Sequence, residues 1–138
     1  MPEPGPVLRP IGWVDSPLVD QGAAPNQGDE GAPDTWVVLD ASVQPAMRDL
    51  QVGTQAIVLT WLDRADRDTL VVHPRGDPNR PPTGVFSTRS QDRPNPIGLH
   101  TVRILAIDGT RIRVRNLEAL DRTPVLDIKP VLGPVEDR

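Results

Sequence analysis

Cysteine is absent from the 138 residues. That excludes a disulfide framework, a thiolate metal site and a cysteine nucleophile, and leaves the compartment open. No apolar run approaches the roughly 18 residues of a membrane span. Met1 to Pro10 holds no apolar stretch of the kind a secretory leader needs, so a cytoplasmic protein without membrane contact is expected. Tyrosine is missing, and the aromatic side chains are Trp13, Trp36, Trp61 and Phe86. Stacking platforms for nucleic-acid bases are therefore scarce. Lysine is nearly missing: Lys129 stands alone among 15 basic residues. Arginine serves for surface charge but lacks a compact ammonium of tunable pKa, which makes Lys129 a candidate functional group. There is no G-x-G-x-x-G, no P-loop and no G-x-S-x-G elbow, which excludes Rossmann, P-loop and elbow-type hydrolase chemistry. His73 and His100 are too few to hold a metal without added carboxylates, so no metal is expected and both read as strand-end or surface residues.

Proline (17) and glycine (11) are plentiful and clustered, which favours loops and short strands over long helices. The length fits one domain with a core of its own. The net charge of -4 is unevenly spread. Residues 1–69 carry an acidic excess and residues 70–138 a basic one, so an anionic partner should meet the second half.

Strands are expected at Ile11–Val14, Thr35–Asp40, Thr69–His73, His100–Ile107, Arg111–Leu117 and Val125–Ile128, with Asp108-Gly109 turning a hairpin. In the hairpin's second strand Ile112 and Val114 should point in and Arg111, Arg113 and Arg115 out. The continuous apolar run Gln55–Leu62 predicts a strand buried on both faces. Gln44–Leu50 reads as one or two helical turns, with Ser42 as cap. Residues 21–33 read as loop. These elements predict an all-β fold, a small barrel with short helical turns, in one domain over 1–138 with its core at about 11–132.

Two segments carry chemistry. In Gly84–Leu99, G-V-F-S-T-R-S-Q-D-R-P-N-P-I-G-L, Arg89 and Arg93 flank a polar turn that Pro94-Asn95-Pro96 stiffens. A rigid loop with a guanidinium on each side suits a carboxylate or phosphate. Arg93 and Asn95 are assigned to the substrate. In Leu117–Pro130, Asp127 and Lys129 lie two apart on the last strand. With Val125 they would share its outer face, leaving Leu126 and Ile128 for the core. A carboxylate beside the sole ammonium could position a nucleophile or accept a proton, so Asp127 and Lys129 are the catalytic candidates.

The first of these blocks and D-R-T-P-V-L-D-I-K-P resemble the two signature blocks of the TsaA-like, or TrmO, family. I-G-W-V-D-S-P is similar to its opening strand and I-V-L-T-W-L to its central one, so the resemblance spans about Ile11 to Leu132. It implies a small β-barrel that binds S-adenosyl-L-methionine and works as a homodimer. It also implies transfer of a methyl group to N6 of threonylcarbamoyl-adenosine 37, beside the tRNA anticodon. Carried over by motif position, the cofactor contacts are Pro25, Asn26, Gln27 and Gly28; Asp63, Arg64, Arg89 and Leu99; and Arg115, Asn116, Leu117 and Glu118. Arg89 suits the cofactor's carboxylate, Glu118 or Asp63 its ribose hydroxyls or amine, and Leu99 and Leu117 the faces of its adenine.

The sequence departs from the family at four places. Asp63 stands where many members have His, Asn26 where an Arg is usual, Arg122 for the Gly of a D-G-T-P turn, and Val131 for a Tyr. The sequence also stops soon after the barrel, so a short single-domain member is expected. Lost aromatic and basic character leaves a second reading, the same cofactor used on a small-molecule acceptor. A third is a cofactor-sensing module without turnover.

Overall fold

The computed structural model describes residues 5–17 and 34–134. Six strands close into an antiparallel barrel: β1 (Gly12–Asp15), β2 (Thr35–Leu39), β3 (Gln55–Trp61), β6 (Ile97–Asp108), β7 (Arg111–Arg115) and β8 (Pro124–Pro130). Their order around the wall is β1-β2-β7-β6-β3-β8, and β1 pairs with β8 to close it. A separate two-stranded ribbon, β4 (Val71–Val72) with β5 (Thr83–Gly84), projects from the long β3–β6 connection.

Period-two alternation builds this wall. In β7 Ile112 and Val114 are buried and the three arginines point outward, as the spacing predicts. In β2 Val37 and Leu39 face in while Trp36 and Val38 are half-buried. β3 also alternates. Ala56, Val58 and Thr60 are buried and their neighbours only half so, which corrects the expectation of two buried faces. The buried face of the wall forms one core, with Val14, Val102, Ile104 and Val125 among its members. The two-residue turn of the β6–β7 hairpin is Gly109-Thr110, one position on from the expected Asp108-Gly109 because Asp108 still pairs with Arg111, and Gly109 takes a positive φ (60°).

The short helix is a 3-10 segment, Ala41–Met47, which sets Val43 and Met47 against the core. Its cap is Asp40 rather than Ser42: the Ser42 backbone N–H donates to Asp40 Oδ1 at 2.9 Å. That bond holds the Asp40 carboxyl below its ordinary pKa.

The expected facing of the last strand is corrected. Val125 is fully buried, and Ile128 also packs on the core. These two are an odd number of residues apart, so the strand changes parity between them. A register shift does this: Leu59 pairs with Asp127 but Thr60 pairs with Val125, leaving one residue of β8 unmatched. Asp127 and Lys129 remain on the outer face.

Candidate functional site: a cleft at one rim of the barrel

The pairing registers bring the C-terminal ends of β1, β3 and β7 and the N-terminal ends of β2, β6 and β8 to the same rim. The connections that leave this rim span residues 16–34, 62–96 and 116–123. Every cofactor contact expected from the sequence, Leu99 and Arg115 apart, lies on one of these three. The opposite rim carries the tight hairpin turn and the 3-10 segment.

Between the described connections lies an open cleft of about 770 Å3, a size typical of small-molecule sites. Its lining includes Asp63, Arg64, Arg89, Arg93, Leu99 and Glu118 from the expected set. Among the described residues five arginines and three carboxylates line it, so this part of the lining is net basic although the chain is acidic. The ribbon contributes His73, expected only as a strand-end or surface residue, and Arg75 and Arg80, for which the sequence offered no role.

Two arginines hold the proline loop and the segment that leads into it. Arg93 turns its guanidinium onto its own loop: Nη2 donates to the Val85 carbonyl at 2.7 Å, and Nη1 to the Ser90 and Thr88 carbonyls at 2.9 and 3.1 Å. Arg67 donates through Nε to the Pro94 carbonyl (2.7 Å) and through Nη2 to Asn95 Oδ1 (2.9 Å), with its guanidinium over the Trp61 ring. Pro96 is fully buried beneath the loop, and its carbonyl accepts from Leu62 N–H. Arg93 is thereby a clamp, and Asn95 is outside the cleft lining. Arg89 differs. It lines the cleft, is exposed, and has no hydrogen-bond or ion-pair partner among the described residues.

Of the four contacts expected at Arg115–Glu118, only Glu118 lines the cleft, where Ala119, Leu120 and Thr123 of the same β7–β8 connection join it. Arg115 points outward to Asp34, at 3.5 Å. Asn116 takes a left-handed backbone (φ 75°) that ends β7 and turns the next side chain inward. Leu117 is therefore fully buried in the core and cannot cover an adenine face. Glu118 follows at the cleft wall, 19% exposed.

Glu118 is held by His100, which is buried (4% exposed) and not the strand-end or surface residue expected. His100 Nδ1 lies 2.8 Å from Glu118 Oε1, and Nε2 lies 2.8 Å from Thr60 Oγ1. The signal was present in the sequence: Gly98, His100, Val102 and Ile104 alternate in phase along β6, which puts His100 on the core face.

Asp127 and Lys129 form an ion pair of 3.2 Å, with both side chains about half exposed. They pair in register with Leu59 and Ile57 in the body of β3 and are not part of the cleft lining. The proline loop and this couple do not meet in one chain. Pro25, Asn26, Gln27 and Gly28 lie outside the described residues.

The family model described as the tRNA-methyltransferase O N-terminal domain matches residues 13–136. The chain belongs to this family. A relative named as an S-adenosyl-L-methionine-binding protein, from Archaeoglobus fulgidus, is 42% identical over 123 residues, covering 89% of this chain and 87% of that protein. A second from the same organism, named as a probable one, is 41% identical over 129 residues, which cover 94% of this chain but 35% of that protein. The crystal structure of TrmO from Pseudomonas aeruginosa superposes with a TM-score of 0.74 at 26% identity, covering 97% of this chain and 61% of that one. The chain thus spans about a third of one archaeal relative and three-fifths of the TrmO structure. As a member of the TrmO N-terminal family it shows how one departure is accommodated. Arg122, which stands for the turn Gly, takes a left-handed conformation (φ 70°) of the kind glycine favours while its side chain lies in solvent.

Proposed function

We propose that the rim cleft binds S-adenosyl-L-methionine and that the chain transfers its methyl group to N6 of threonylcarbamoyl-adenosine 37 in tRNA. The observation that carries this reading is Arg89, a guanidinium without a partner among the described residues, which lines the cleft on a loop held by two other arginines. When bound, the cofactor supplies an electrophilic methyl on a sulfonium. Arg89 pairs with its carboxylate by charge-assisted hydrogen bonds. Glu118 accepts from its amine or ribose hydroxyls, with Asp63 as a second acceptor. Leu99, 45% exposed at the cleft wall, covers one face of the adenine. The clamped loop fixes the donor so that an acceptor nitrogen can approach in line, and such positioning supplies most of the rate. Asp127 and Lys129 take no step in this reading.

The basic ribbon residues Arg75 and Arg80 support an anionic acceptor such as tRNA. The acidic chain and the lack of tyrosine support the second reading, a small-molecule acceptor for the same cofactor. Phe86 (84% exposed), Leu70 and Val71 are exposed apolar side chains on or next to the ribbon strands in sequence, which supports a homodimer. The reading places the protein in the cytoplasm, with the tRNA.

The test is to incubate the protein with methyl-labelled cofactor and total tRNA from a strain lacking this modification enzyme, then map the label. Label in methylated threonylcarbamoyl-adenosine is expected. Label confined to small metabolites selects the second reading, and no transfer to either removes methyl transfer.

A further inference from the structure

The cleft holds a carboxylate among five arginines, yet that carboxylate is paired with none of them. We infer that His100 is a positioning residue, which holds Glu118 through Nδ1 so that the carboxylate presents its second oxygen to the cofactor. The inference rests on the cofactor reading above.

The protons of the relay are assigned from the acceptor chemistry of an ionised Glu118. An ionised carboxylate only accepts, so the proton of the 2.8 Å His100–Glu118 bond sits on Nδ1. In the neutral imidazole Nε2 then accepts, and Thr60 Oγ1–H, itself fully buried, is the donor at 2.8 Å. Both ring nitrogens are satisfied and the ring has one orientation. Gly98 makes this arrangement fit: a Cβ there would collide with Thr60 Oγ1 and lie 2.7 Å from His100 Nε2. On the other side of the relay, Oε2 of Glu118 has no hydrogen-bond partner among the described residues.

Two consequences follow for binding. A carboxylate with a single fixed geometry loses less conformational freedom when it meets a ligand. A carboxylate already bonded to a buried histidine is also less free to swing onto an arginine of the same cleft. The relay therefore keeps Glu118 open as an acceptor and Arg89 open for an anion, two roles that would cancel if the two side chains paired.

Two substitutions separate this role from a merely structural one. The amide nitrogen of His100→Asn falls near the place of Nδ1 and can still donate to Glu118. That of His100→Gln falls near Nε2 and reaches toward Thr60 instead. Calorimetric titration with S-adenosylhomocysteine is expected to show the Asn variant within about threefold of the parent, and Glu118→Ala and the Gln variant weaker by about tenfold or more. Equal affinity of the Asn and Gln variants overturns the positioning role while leaving the cofactor reading intact. Parental affinity in Glu118→Ala overturns the cofactor reading at Glu118 and the inference with it. Should a variant fail to fold, the 15N spectrum of the parent's imidazole decides. A proton on Nδ1 is expected, and an unprotonated Nδ1 contradicts the proposal.

Discussion

Arg89 and Arg93 sit four residues apart in one loop and have opposite surroundings. Arg93 meets three carbonyls of its own loop at 2.7–3.1 Å, whereas Arg89 meets none among the described residues. The five N–H donors of a guanidinium in a fixed fork make such a multi-carbonyl clamp possible, and an ammonium cannot copy it. Arg93→Lys is therefore expected to loosen the segment 85–93 and to weaken cofactor binding without losing the fold. Amide hydrogen exchange checks this: faster exchange should be confined to that segment. Unchanged protection would show that the clamp is dispensable. Sequence alone names both arginines as anion ligands, because composition does not reveal which guanidinium finds carbonyls within reach. The Asp127–Lys129 couple is similar. Its spacing on one strand face was legible, but its distance from the cleft depends on register. As an exposed ion pair it contributes about 0–1 kcal/mol at most.

At the scale of elements, short backbone irregularities decide which side chains face the site. The left-handed Asn116 ends β7 and sends Leu117 into the core, leaving Glu118 at the cleft wall. Leu117→Ala should consequently cost about 2–5 kcal/mol of stability, as for a buried leucine, while changing cofactor affinity little. Urea unfolding together with calorimetry separates the two effects. A large loss of affinity with unchanged stability would return Leu117 to the adenine. The unmatched residue of β8 acts in the same way, switching Val125 into the core. Strand positions and the hairpin were legible because alternation and Asp-Gly are strong local signals. The parity changes were not, since a bulge or a left-handed residue leaves no mark in hydrophobic periodicity. The strand expected at Thr69–His73 survives as Val71–Val72 alone, because it pairs with the ribbon strand β5 rather than with the barrel.

For the whole molecule, the barrel is a rigid frame that delivers long connections to one rim. The charge asymmetry of the sequence finds its meaning there: Arg75, Arg80, Arg89 and Arg93, all from the basic half, line the cleft. The exposed apolar residues Phe86, Leu70 and Val71 lie on or beside the ribbon that borders the same cleft, so the site and the proposed dimer surface adjoin. The central claim is that this cleft captures the cofactor's carboxylate on Arg89. Calorimetric titration of the parent and of Arg89→Ala with S-adenosyl-L-methionine tests it most directly. The account predicts saturable binding by the parent and a loss of roughly 1.5–3 kcal/mol in the variant, the usual range for a hydrogen bond to a charged group. Equal affinities of the two proteins would contradict it.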